Sequence, residues 1–369
     1  MNIEAEDELL YRIALTHTDQ IGYKFGRRLL HLFGSAKAIF NASPKQLKTI
    51  EGIGETKAKL FSAAPDLKKA AVEVEFILKH NIQPLFILDD NYPEKLKECD
   101  DAPLMLYYKG TQPLKHKKMV AIIGSRENTD YGARMTEELI EGLKLEDIII
   151  ISGLALGIDG IAHRKALQTG LPTIAVVAHG LDTIYPPQHK HIAREMVKHG
   201  GLLTEYPSKT IPDKYNFPMR NRIVAGLSDV TIVVETAKKG GAMITAKLAA
   251  SYNREVAAFP GRTIDKKSEG CNYLIRTNIA QLITGADDLL EMMNWKNDNH
   301  GKAVQAKLFN HLTDEEMKIA DVLGNAEGMH IDELLLKSSF NPAQLSAMLL
   351  TMELNGAVKA LPGKRFRMT

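Results

Sequence analysis

Five apolar, β-branched runs set the strongest limit on what this chain can fold into. They are Val120-Ala121-Ile122-Ile123, Ile148-Ile149-Ile150-Ile151, Thr173-Ile174-Ala175-Val176-Val177, Val230-Thr231-Ile232-Val233-Val234 and Val256-Ala257-Ala258-Phe259. None alternates with polar residues, so each needs apolar cover on both faces, the condition of a parallel sheet flanked by helices. Amphipathic helical stretches separate them from about residue 117 to about 292. That alternation predicts a doubly wound α/β domain whose ligands sit at the C-terminal ends of the strands.

The remainder of the 369 residues divides around this core. Residues 1–80 read as short helices joined by small turns, and residues 81–292 contain the α/β region with its lead-in. Residues 293–306 include the polar stretch Asn297-Asp298-Asn299-His300-Gly301-Lys302 and read as a linker. Residues 307–369 give helices starting near Asp314, His330 and Pro342, then a hairpin over Ala357–Arg367 with Pro362-Gly363 as its turn. Three helices followed by a hairpin is the winged-helix order.

Charge and cysteine content narrow the function classes. The formal net charge is only +2, so any nucleic-acid site must be a local concentration of basic groups. Cys99 and Cys271 have no partners at metal spacing, which argues against a disulfide framework and a structural zinc. No run is apolar for long enough to span a bilayer, and the acidic start Met1–Glu8 does not read as a signal peptide; a cytoplasmic protein is expected.

The densest candidate site is Asn216-Phe217-Pro218-Met219-Arg220-Asn221-Arg222, at the start of an apolar helix. Proline fits a helix's first turn, and a helix N-terminus attracts anions. Arg220 and Arg222 would add charge there, and Phe217 a face on which a base can stack. Alternatively Phe217 is core and the arginines pair with local carboxylates. Glycine-rich turns follow successive strands: Gly124-Ser125-Arg126, then Gly153 to Gly157, then Gly240-Gly241 leading to Thr245. Glycine lets a backbone approach an anion, and arginine offers a bidentate fork. None matches the dinucleotide or Walker pattern. Asp159 and His163 lie one helical turn apart and are read as fixing their loop. Glu205 and Glu235, near strand ends, are read as orienting the arginines. Asn221 is read as structuring the same turn. His179, His189 and His191 are read as surface residues. In the N-terminal region, Leu47–Leu60 around Gly52-Ile53-Gly54 resembles a helix–hairpin–helix, with a weaker copy over Ile21–Gly26; such a hairpin either holds a phosphate or only packs helices.

Taken in order, these motifs resemble the bacterial DNA-processing protein A family, also called Smf. The resemblance runs through Gly124-Ser125-Arg126 with Tyr131-Gly132, Ser152–His163, Gly180-Leu181-Asp182 with Tyr185-Pro186, Glu205-Tyr206-Pro207, Phe217–Leu227, Gly240-Gly241 with Thr245-Ala246, and Pro260-Gly261 with Gly270-Cys271-Asn272. It implies an extended Rossmann-like core that binds single-stranded DNA, dimerises, protects incoming strands and loads a RecA-type recombinase, as in natural transformation. Carried over by position, Arg126 would hold phosphate, Lys214 would add a second contact, Phe217 would stack on a base, and Lys247 with Gly240-Gly241 would close the pocket. Ala242 stands where the family often has serine, and Thr277-Asn278 where it commonly has Gly-Ala. The resemblance implies no cofactor, metal or membrane. The helix from Pro342 to Leu354 carries no lysine or arginine, whereas the hairpin carries Lys359, Lys364, Arg365 and Arg367. The terminal domain is therefore expected to dock a partner or touch duplex backbone, and not to read sequence. The competing class is an enzyme, a nucleoside-monophosphate hydrolase resembling the phosphoribohydrolases. Those place a catalytic glutamate just after the threonine of their glycine turn, where this chain has Ala246-Lys247-Leu248.

Overall fold

The computed structural model describes residues 3–18, 21–50, 53, 55, 65–115, 118–296, 313–324, 328–355, 357–361 and 363–368. Residues up to Met293 form one compact unit, and those from Asn294 a second.

The first unit begins with helices α1 (Ile3–His17), α2 (Tyr23–Phe33), α3 (Ala36–Asn41), α4 (Pro44–Lys48) and α5 (Leu67–Lys79). Ser35, Ser43 and Asp66 each accept a backbone N–H from the first turn of the helix that follows, satisfying donors the helix cannot. Gly52, Gly54 and residues 56–64, the turn and second helix of the expected hairpin, lie outside the described residues. In the weaker copy, Gly22 precedes α2 as its N-cap and Gly26 lies inside it against Leu104, so this glycine serves close packing.

The chain then continues through β1 (Gln83–Phe86), α6 (Glu94–Lys97), β2 (Met105–Gly110), β3 (Met119–Gly124), α7 (Asp130–Leu143), β4 (Ile149–Ser152), α8 (Ile158–Thr169), β5 (Thr173–Val176), α9 (Lys190–His199) and β6 (Gly200–Thr204). It closes with α10 (Asn216–Leu227), β7 (Val230–Glu235), α11 (Gly241–Ser251), β8 (Glu255–Ala258), α12 (Glu269–Arg276), β9 (Gln281–Leu282) and α13 (Ala286–Met292). All nine strands form one sheet in the order β1-β2-β6-β5-β4-β3-β7-β8-β9. From β6 to β9 every pairing is parallel, while β1 and β2 pair antiparallel at one edge. The five apolar runs are β3, β4, β5, β7 and β8, and their residues are buried almost throughout. The fold is thus an extended Rossmann-like α/β sheet, and its apolar core is continuous with the faces of α1 to α5.

In the second unit, α14 (Asp314–Leu323), β10 (Met329–His330), α15 (Ile331–Ser338), α16 (Pro342–Leu354), β11 (Val358–Leu361) and β12 (Arg365–Met368) make a winged helix with the sheet order β10-β12-β11. Thr313 with Glu316 and Asn341 with Gln344 form reciprocal capping boxes at the starts of α14 and α16. A separate core of Ile319, Leu323, Leu334, Leu345, Leu349 and Met352 holds it. The expected linker residues 297–302 and Pro362 of the hairpin turn lie outside the described residues. No helix among the described residues is long and apolar enough to cross a membrane.

Sequence pattern did not show β6, because it opens on Gly200-Gly201, poor strand formers. Both glycines are needed: a Cβ on Gly200 would stand 1.8 Å from the Thr173 carbonyl oxygen, and one on Gly201 2.3 Å from the Tyr108 ring. The Tyr108 hydroxyl donates to the Gly200 carbonyl at 2.9 Å, fixing the β2–β6 seam. Because the obstacle at Gly200 is backbone, it cannot move aside. Gly200→Ala should lower unfolding free energy by about 1–3 kcal/mol, read as a lower urea midpoint at unchanged slope.

Candidate nucleic-acid interface

The sheet's order fixes where a ligand can enter. From β3 the chain builds outward through β4, β5 and β6, then returns to place β7 on the other side of β3. The loops after β3 and β7 therefore diverge, leaving the crevice that doubly wound sheets use. A cleft of about 680 Å³ occupies this point. Gly124, Ser125 and Arg126 line it from the end of β3, Gly153, Ala155 and Asp159 from the β4–α8 connection and the start of α8, and Thr236, Ala237, Gly240, Gly241, Ala242, Ile244 and Thr245 from the β7–α11 turn and α11. Phe217, Pro218, Arg220, Asn221 and Val224 line it from α10, with Lys214 and Pro212 just ahead of that helix.

The lining positions on α10 are spaced as one helix face. Arg220 and Arg222 are two residues apart, about 200° around a helix, so they cannot share that face. Arg220 is buried at the cleft floor and donates to the Val176 carbonyl, while its Nε donates to Asn221 Oδ1 at 3.2 Å. Arg222 leaves the cleft. Its guanidinium donates to Glu205 and to the Asp101 carbonyl and lies 5.0 Å from the Tyr23 ring centroid. The expectation that Arg222 adds to the anion site is corrected by this placement. Lys247 is exposed on α11 and is not among the residues lining the cleft, so the expectation that it closes the pocket is corrected too.

The carboxylates also divide. Glu205 orients an arginine, as expected, but that arginine is Arg222. Glu235 orients none: its Oε2 accepts from the backbone N–H and hydroxyl of Thr129, at 3.0 and 2.9 Å, and so holds the start of α7. Asp159 is buried beside Arg220; burial raises its pKa, and the guanidinium opposes that shift. A Cβ at Gly153 would press on Asp159 Oδ2 and the Arg220 guanidinium, so a larger residue there must displace this buried pair. Gly157 holds a φ of 78°, against the Ser125 carbonyl. His163 does not bond Asp159. Its Nε2–H donates to the Gly153 carbonyl at 2.9 Å, and its Nδ1 accepts from the Thr173 hydroxyl at 2.7 Å. His179 and His189 are buried, contrary to the surface reading, whereas His191 is exposed. His179 donates to the Gly180 carbonyl and accepts from the Tyr185 N–H; His189 donates to the Leu154 carbonyl. The three rings thus support the floor loops.

Two exposed cations, Arg126 and Lys214, face this floor. The Arg126 guanidinium stands 5.1 Å from the Phe217 ring centroid, and Tyr185 meets the same ring at 6.0 Å. Tyr185 was not read from sequence as a site residue, although Tyr185-Pro186-Pro187 is itself a turn signal. The first turn of α11 has no acidic residue and no side-chain cap, which leaves the N–H groups of Gly241 and Ala242 for a ligand. Cations, helix N–H groups and an aromatic face can together hold a phosphate and a base. Among the described residues no cluster of histidine, cysteine or carboxylate side chains could hold a metal ion.

A family model described as DNA recombination-mediator protein A matches residues 83–294. The chain belongs to that family. The family's winged-helix model, described as the DprA winged helix domain, matches residues 306–364. Protein Smf of Synechocystis is 35% identical over 295 residues, 78% of this chain and 73% of that protein. The crystal structure of DNA processing protein A from Streptococcus pneumoniae superposes with a TM-score of 0.62 at 33% identity, covering 76% of this chain and 97% of that one. DNA processing protein A from Helicobacter pylori, studied for its single-stranded DNA binding mode, gives 0.53 at 33% identity, covering 57% and 95%.

Two outcomes follow from the buried groups. Breaking the Arg222–Glu205 pair leaves an uncompensated buried charge, so Arg222→Met should lower unfolding free energy by about 3–5 kcal/mol in urea titration. Burial pushes the His163 pKa down to about 4 from its ordinary 6.5. Between those values the unfolded chain binds the proton and the folded one does not. The contribution is therefore complete above pH 6.5 and is lost as pH falls toward 4. His163→Gln should flatten the slope of unfolding free energy against pH in that window by up to about 1.4 kcal/mol per unit. The burial-depressed His17 and His179 leave a residual slope of the same sign.

Proposed function

We propose that this chain binds single-stranded DNA in the switch-point cleft, without turnover, and hands the strand to a RecA-type recombinase. The observation that carries this reading is the pairing of Arg126 with Phe217 at the cleft mouth, above the Arg220 floor. Phosphate-seeking cations beside an aromatic face are what a single strand requires, and neither reads a base edge. The single-stranded DNA binding described for the Helicobacter pylori relative supports the ligand, and the family's description as a recombination mediator supports the hand-off. Protection of incoming strands in transformation and assembly as a homodimer belong to the same proposal. The winged helix, with a basic hairpin and no basic residue on α16, is assigned to partner docking or duplex backbone.

Hydrolysis is the weaker reading. Among the described lining residues Asp159 is the one carboxylate, and it is committed to the Ala155 N–H and to the charge of Arg220. A general base needs a free titratable group within reach of the substrate.

Fluorescence anisotropy with labelled oligo-dT and its duplex counterpart tests the assignment. Arg126→Ala should lower the magnitude of the salt slope by about 0.7, one phosphate contact on a single strand. Phe217→Ala should weaken binding about tenfold with the slope nearly unchanged. Because the two side chains touch, the double variant should lose less than the sum. Equal salt slopes for wild type and Arg126→Ala would remove the phosphate assignment, and equal affinity for duplex would remove the single-strand one.

A further inference from the structure

Three hollows stand side by side along the C-terminal ends of the parallel strands. A small apolar one of about 60 Å³ lies beyond β4 and β5 and shares Arg126, Tyr185 and Phe217 with the cleft. The cleft itself lies beyond β3 and β7. A third hollow, of about 190 Å³, is lined by Lys238, Thr263, Glu269, Asn272, Tyr273 and Arg276, from the turns after β7 and β8 and from α12. Since β5, β4, β3, β7 and β8 are consecutive neighbours, the hollows follow one sheet edge for roughly 19 Å at about 4.8 Å per strand.

The third hollow repeats the chemistry of the cleft. Tyr273 is half-buried, with Lys238 Nζ 5.5 Å and the Arg276 guanidinium 5.8 Å from its ring centroid. Two cations face one carboxylate, Glu269, so a positive charge is left over. Only the Thr236–Gly240 turn separates it from the cleft, with Lys238 on one side and Gly240 on the other. Lys267, in the loop after β8, donates to the Glu127 carbonyl and holds that loop against the β3 turn.

We propose that this hollow is a further nucleotide subsite, taking one base on Tyr273 and one phosphate between Lys238 and Arg276, on a strand that continues from the cleft over the Thr236–Gly240 turn. The proposal rests on the single-strand reading of the cleft. A stacked base holds a ring more strongly than an exposed cation does, so base entry displaces a cation, which then becomes available to the phosphate. The partners are sequence-tolerant, because every base has a face and every nucleotide a phosphate.

An oligo-dT series of about 3 to 16 nucleotides tests it by anisotropy, with wild type, Tyr273→Ala and the double variant Lys238→Gln, Arg276→Gln. Wild-type affinity should rise with length and then level off. Both variants should match wild type on the shortest strands, level off earlier, and bind the longest about tenfold more weakly. The double variant should also lose about 0.7 of salt slope per phosphate released. Should Tyr273→Ala fail to fold, the surface charge variant carries the test alone. Variants that follow wild type at every length, or that weaken every length equally, would overturn the subsite. Wild type that binds no length would instead overturn the reading of the cleft.

Discussion

The reversal of strand order between β3 and β7 is the constraint on which the rest of the site depends. Parallel neighbours must be joined by crossovers, and the crossovers of the two halves leave the sheet in opposite directions. The gap between their loops cannot be closed by the backbone that makes it. What fills it is α10, the helix on the return from β6 to β7, whose N-terminal half delivers Phe217 and Arg220 to the opening. The apolar runs that build the sheet therefore also fix the address of the cleft, before any polar residue is considered.

Much of this was legible in the residues. The runs that became β3, β4, β5, β7 and β8 are uniformly apolar, and only a twice-covered parallel sheet suits them. The glycine turns, Arg126, Lys214 and Phe217 converge because strand ends converge. Lys247 was carried over from the family resemblance, whereas Arg222 was misplaced because adjacency in sequence was taken for adjacency in space. On a helix a step of two turns a side chain to the far side, and the helical period already contained that answer. Edge strands β1 and β9 and glycine-led β6 are short or lack a pattern, so they become visible only when neighbouring strands supply their partners. Likewise His179 and His189 read as polar and exposed until the loops they support are seen to close over them.

The floor of the cleft includes buried polar groups beside its apolar lining. His163, His179 and His189 each satisfy a loop carbonyl that has no strand partner, and Asp159 sits against Arg220 above Gly153. Such a network holds loops in one arrangement because each group left without its partner would be costly.

The contact between Tyr23 and Arg222 ties the beginning of the chain to its middle. Glu73 does the same by accepting from the backbone and hydroxyl of Ser208, 135 residues later. The apolar faces of α1 to α5 belong to the same core as the strands. During synthesis these helices emerge before the strands and α10, so the partners that complete their burial are still unmade. The opening fifth of the chain must wait, partly uncovered, until α10 has left the ribosome.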